Sequence, residues 1–82
     1  MNQQEALDQV RRALTKVVPD ADFASFGPRD KLRDVLDLDS LDFLRFVEAL
    51  AADTGVSIDE DDDPHLATLA GSAEFLVQKS AR

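Results

Sequence analysis

Ser40 sits among carboxylates in the heptapeptide Asp37-Leu38-Asp39-Ser40-Leu41-Asp42-Phe43, where an apolar helical pattern begins. A serine at such a place is most often an N-cap, its oxygen accepting a hydrogen bond from an unpaired backbone N–H of the helix end. Asp39 competes for that role. With Asp39 as the cap, Asp42 falls on the third helical residue and supplies the carboxylate of a capping box, whereas a Ser40 cap would put Phe43 there. Ser40 then stands in the first turn with its hydroxyl turned outward, and the N–H groups of the helix end could help hold a phosphate esterified to it. The arrangement marks a serine for covalent modification. The carboxylates beside it oppose such an anion and are better suited to a partner.

Other chemistries find little support in the chain. There is no cysteine, which excludes a disulfide framework, a zinc–thiolate site and a cysteine nucleophile, so any thiol must come from an added group. A serine hydrolase lacks its Gly-x-Ser-x-Gly turn, and the single histidine, His65, lies beside an acidic run, so no catalytic residue is assigned. Asp59, Asp61 and Asp63 occupy the first, third and fifth positions of a calcium loop, but Pro64 stands where the turn needs glycine and Ala70 where it needs glutamate. A loop counted from Asp37 places Glu48 at the twelfth position but Leu41 at the fifth and Asp42 at the sixth. No metal site is expected.

The net charge of −8 is concentrated. Residues 34–63 carry eleven acids against Arg45 alone, while the segments on either side are each close to neutral. This field centres on Ser40 and on the helix and loop after it, where it steers basic partners and disfavours nucleic acid. Charge runs also serve simply to solvate a small protein, and the acids of residues 59–63 fit that use equally well. With 82 residues, one small domain over 1–82 is expected, of marginal stability, about 4–12 kcal/mol. No apolar stretch is long enough to span a bilayer and no signal segment is evident, so a soluble, cytoplasmic monomer is expected.

The elements that must position Ser40 read as helices. Leu7, Val10, Leu14, Val17 and Val18 recur at helical spacing and predict a first helix over residues 3–18, stopped by Pro19. A long connection follows, with a turn at Gly27-Pro28. Phe23, Phe26, Leu32, Val35 and Leu36 should pin it to the core, with a helical turn near residues 30–35. The next helix starts near Ser40, carries Leu41, Leu44, Val47 and Leu50 along one stripe with Phe43 and Phe46 beside it, and ends near Asp53, with Gly55 placed to terminate it. Val56 and Ile58 read as core anchors in a loop. Asp63 as cap and Pro64 as first helical residue predict a short helix over residues 61–67. A last helix begins at Thr68, with Leu69, Ala73, Leu76 and Val77 inward, Phe75 at the boundary and Gly71 a weak point. The fold class is all-α, a small antiparallel bundle of three main helices and one short one.

Residues 36–58, in which Asp39-Ser40-Leu41 is followed by an apolar helix and Gly55-Val56-Ser57-Ile58, resemble the second helix of acyl carrier proteins. The first helix, the long loop, the acidic turn and the closing helix occur in that family's order and at its usual length, so the resemblance covers most of the chain. It implies that a phosphopantetheinyl transferase moves 4'-phosphopantetheine from coenzyme A onto Ser40. The arm's thiol then carries acyl or aminoacyl thioesters to loading and processing enzymes, and the protein itself is a non-catalytic carrier. Leu41 would be a partly exposed apolar contact for those enzymes. Asp39, Asp42 and Glu48 would engage their basic docking patches, Glu48 lying two turns beyond Ser40 on nearly the same face. Phe46, Leu50, Leu69 and Leu76 would line any cleft that shelters an acyl chain.

Two departures from the family pattern bear on partners. Many members have glycine two or three residues before the serine, where this chain has Asp37-Leu38. Arg45 also puts a positive charge into a face that fatty-acid carriers keep acidic, which points to a carrier for a specialised lipid, polyketide or peptide pathway instead of general fatty acid biosynthesis. The alternative is an unmodified acidic helical module that binds a partner directly, since fold does not dictate function. Ser40 discriminates the two: its loss abolishes a carrier and leaves an interaction module nearly untouched.

Overall fold

In a computed structural model, which describes residues 1–80, four α-helices and one 3-10 helix follow one another without a strand among the described residues. The all-α bundle expected from the sequence is the observed fold. The first helix, α1, is Gln3–Val17, opened by a capping box in which the Asn2 side chain accepts the Glu5 N–H at 2.8 Å and the Glu5 carboxylate accepts the Asn2 N–H at 3.1 Å. It stops one residue short of the expected end, because Val18 precedes Pro19 and leaves the helical region, with φ of −126° and ψ of 87°. Ala6, Val10, Ala13 and Leu14 form its buried face.

The long connection after α1 is held by its own turns and by the far end of the chain. Asp22 accepts the Ala24 N–H and the Ser25 hydroxyl, and Phe23 and Phe26 meet edge to face, their centroids 6.0 Å apart, against the core. The expected Gly27-Pro28 turn is present, with the Gly27 N–H donating to the Asp30 carboxylate at 2.7 Å. Two backbone bonds then tie the connection down: Leu32 N–H to the Ala67 carbonyl at 2.8 Å and Ala70 N–H to the Pro28 carbonyl at 3.0 Å.

The helical turn foreseen near residues 30–35 is α2, Leu32–Val35. Leu32 is buried, but Val35, expected among the anchors, is 39% exposed, since a four-residue helix turns only one narrow face inward. After α2, Asp37 enters the left-handed region with φ of 53°, and the Leu38 N–H returns to the Arg33 carbonyl at 3.0 Å. That six-to-one bond is the signature of a Schellman ending, with Asp37 standing where glycine is favoured. Leu38 is buried by the reversal, and the chain arrives at Asp39 ready to begin the next helix.

The next helix, α3, is Ser40–Thr54, and Gly55 ends it in the left-handed conformation with φ of 74°. Its inner face differs from the expected stripe. Phe46 and Leu50 are fully buried, whereas Leu41 and Leu44 are 54% and 51% exposed. Rows spaced by three residues drift around a helix by about 60° per step, so Leu41 ends up roughly opposite Leu50. Phe43, Phe46 and Leu50, spaced by three and four, stay on one side, with Phe46 and Leu50 in the core and Phe43 packed against it.

The acidic segment forms a 3-10 helix, Glu60–Leu66, beginning earlier than a cap at Asp63 would allow. Asp59 starts it: its N–H donates to the Asp62 carboxylate at 2.9 Å, and its carbonyl accepts the Asp62 N–H at 2.9 Å. Pro64 thus lies inside the helix. The last helix, α4, is Leu69–Ser80, with the Thr68 hydroxyl accepting the Gly71 N–H at 2.9 Å as its cap. Phe75 is buried instead of marginal, with the His65 ring stacked on it at 5.9 Å and the Lys79 ammonium 5.7 Å from its centroid. The bundle is built around α1, which packs against both α3 and α4, while the 3-10 helix packs on α4.

Candidate functional site

Ser40 is the first residue of α3, exposed, and relieved of capping. Asp39 is the cap, as its type and spacing predict: its carboxylate accepts the Asp42 N–H at 2.8 Å, and the Asp42 carboxylate reaches back to the Asp39 N–H at 3.4 Å. Both acids beside the serine are therefore engaged with backbone. The Ser40 oxygen accepts one hydrogen bond, from Nη2 of Arg33 at 3.4 Å.

Arg33 drew no notice in the sequence, because it is seven residues away and lies in a connection with no clear periodicity. The Schellman reversal after α2 brings it back. Its guanidinium lies 5.7 Å from the centroid of the Phe43 ring, a cation–π arrangement, and Phe43 is itself set edge-on to buried Phe46 with centroids 5.9 Å apart. Among the described residues Arg33 forms no ion pair, although acids surround it. The only sequence signal for it is its place as the last base before the acidic segment.

A groove of about 670 Å³ opens beside Ser40, between α3 and the 3-10 helix. Its floor is Phe43, Leu44, Val47, Ala51 and Ile58, and its rim carries Arg33, Glu48 and carboxylates of the 3-10 helix. The expected lining of Phe46, Leu50, Leu69 and Leu76 is not what faces this groove. Those four are buried in the core, because the residues that point inward on α3 are occupied by α1.

The remaining sequence-selected residues divide into two sides. Glu48 shares the groove with Ser40. Leu41 and Arg45 are exposed and absent from the groove lining, about 100° and 140° around α3 from Ser40, with Leu41 only about 20° from Glu48. Asp42 is half-buried in its capping role. His65 is absent from the groove, its ring resting on Phe75. No group of three or more His, Asp or Glu side chains is placed to hold a metal ion among the described residues.

The site therefore offers an exposed hydroxyl at a helix start, a cation beside it, and an apolar groove with an acidic rim. No curated protein matches the chain. The family profile described as "Phosphopantetheine attachment site" matches residues 5–76, reaching from α1 into α4 and including the whole of the groove. By that match the chain belongs to the phosphopantetheine-binding family of acyl carrier proteins, whose domains bear covalently attached 4'-phosphopantetheine.

Proposed function

We propose that Ser40 is the residue that carries the arm. The observation that supports this most directly is the division of labour at the start of α3: Asp39 caps the helix, so the Ser40 hydroxyl is exposed and unneeded by the fold. Phosphopantetheinyl transfer breaks the Ser40 O–H bond and the pyrophosphate link of coenzyme A. It forms the bond from the serine oxygen to phosphorus, and adenosine 3',5'-bisphosphate leaves. The attached group supplies a terminal thiol on which acyl groups are held as thioesters. The chain's own part is to fix the root of the arm, offer a groove beside it and present a docking surface, and domains of this family are generally non-catalytic.

Carrier proteins work with phosphopantetheinyl transferases and acyl-processing enzymes. The exposed Leu41 and Leu44, set among carboxylates, form an apolar contact framed by charges that attract basic patches on such enzymes. Arg45 stands on that outer surface beside Leu41 and repels the same patches. Its presence supports a carrier for a dedicated lipid, polyketide or peptide pathway over one serving general fatty acid synthesis.

The experiment is intact mass before and after incubation with coenzyme A and a broad-specificity transferase, with Ser40→Ala in parallel. A gain of one phosphopantetheine in the wild type and none in the folded variant is the expected result. No gain in a folded wild type, or an equal gain in both, rejects Ser40 as the attachment residue.

A further inference from the structure

The acidic character of the site poses a problem that modification makes worse. A serine phosphodiester is a permanent anion, and here it would be added among Asp37, Asp39, Asp42, Glu48 and the carboxylates of the 3-10 helix. Between residues 33 and 63 only Arg33 and Arg45 are basic, and Arg45 lies on the far side of α3 from the groove. Arg33 is already at the serine oxygen, to which phosphorus would be bonded directly.

Arg33 is also held in place before any phosphate arrives. Its backbone is fixed from both sides: the preceding residue, Leu32, donates to the Ala67 carbonyl, and its own carbonyl accepts the Leu38 N–H. Its guanidinium rests on Phe43, and no carboxylate competes for it in an ion pair among the described residues. A guanidinium presents several N–H donors in a planar fork that matches two oxygens of a phosphate, and prior positioning reduces the entropy lost on pairing. Holding the phosphate there would also aim the root of the arm along the groove that Arg33, Phe43 and Ser40 line together.

We propose that Arg33 is the phosphate-binding residue of the modified protein, pairing with the phosphodiester on Ser40 and setting the direction in which the arm leaves. The inference rests on Ser40 as the attachment residue, so the mass measurement with Ser40→Ala comes first and decides that point independently. Given a modified protein, Arg33 is tested on the isolated carrier, with no partner enzyme present. Wild type, Arg33→Ala and Arg33→Lys are prepared in apo and modified forms and confirmed by mass. The readouts are the phosphorus NMR shift, the side-chain nitrogen resonances of Arg33, and the change in Tm on modification.

The expected result has three parts. Modification shifts the Arg33 side-chain resonances of the wild type. The phosphorus resonance of modified Arg33→Ala differs from that of modified wild type, with Arg33→Lys between them. The change in Tm on modification is less favourable in Arg33→Ala than in the wild type, and raising the salt concentration narrows the gap. Unmoved Arg33 resonances, together with matching phosphorus shifts and Tm changes in wild type and Arg33→Ala, would overturn the proposal. An arginine that served only to dock a partner gives that second pattern. The wild-type nitrogen resonances keep the test decisive even if a variant folds poorly.

Discussion

The carboxylates of Asp39 and Asp42 each bond the other's backbone N–H, at 2.8 Å and 3.4 Å, and between them they take over the start of α3 from Ser40. The serine is thereby separated from the stability of the helix it begins. Acidic residues here have two effects that mutation can divide, one on folding through the cap and one on partners through charge.

Asp39→Ala removes the cap and should cost about 1 kcal/mol of stability, whereas Asp39→Asn, an equally good cap, should keep most of it. Denaturant unfolding at fixed salt measures both. An equal loss in the two variants would mean that the charge, not the cap, is what stabilises the helix start.

Asp37 holds φ of 53°, a conformation in which a side chain other than glycine is strained by about 1–2 kcal/mol, with aspartate among the better tolerated. Asp37→Gly should therefore raise stability by up to about 1 kcal/mol, after allowing for the extra freedom glycine has when unfolded. Thermal melts give the answer, and a lower Tm for Asp37→Gly would contradict it.

Gly71→Ala separates two opposed effects. Helix propensity alone favours alanine by about 1 kcal/mol. A Cβ at this position would instead lie 2.9 Å from the His65 carbonyl oxygen and 2.9 Å from the Thr68 hydroxyl. One of these is backbone and the other is the cap of α4, so neither yields cheaply, and the variant should lose about 1–3 kcal/mol. A stability gain in urea unfolding would show that this corner relaxes easily.

Ser72 is fully buried, and its hydroxyl has no hydrogen-bond partner among the described residues. Burying an unpaired hydroxyl costs roughly 1–3 kcal/mol, so Ser72→Ala, which also suits a helix better, should stabilise the fold by about 1 kcal/mol or more. Calorimetry on the pair decides, and a destabilised alanine variant would be the contrary result.

Arg45→Glu tests the dedicated-carrier reading. The substitution should reduce the rate with the protein's own loading enzyme and raise its use by fatty-acid enzymes, with little change in Tm because Arg45 is exposed. Unchanged rates with both sets of enzymes would remove Arg45 from partner selection.

What could be read from the chain was mostly what lies within a few residues. The Asp39 cap, the Gly55 stop and the Gly27-Pro28 turn each depend on a residue type and a bond spanning three or four positions, so the local sequence contains the whole cause. The outer position of Leu44 did not follow from its spacing, because a row of three-residue steps looks amphipathic until its drift around the helix is followed against Phe43, Phe46 and Leu50. Asp63 and Pro64 made a plausible helix start, but the reciprocal bonds of Asp59 and Asp62 began the turn sooner. The contact between Arg33 and Ser40 depends on a reversal at Asp37, and no periodic pattern foretells which side chain such a reversal delivers.

The two walls of the groove have different owners. One wall, α3, leans on α1, and the other, the 3-10 helix, leans on α4, so the line between them is a seam and not a packed joint. Parting a seam disturbs neither of the helix pairs that hold the bundle together. Its width is accordingly set at second hand, through α1 on one side and α4 on the other, with Val47 and Ile58 both on its lining.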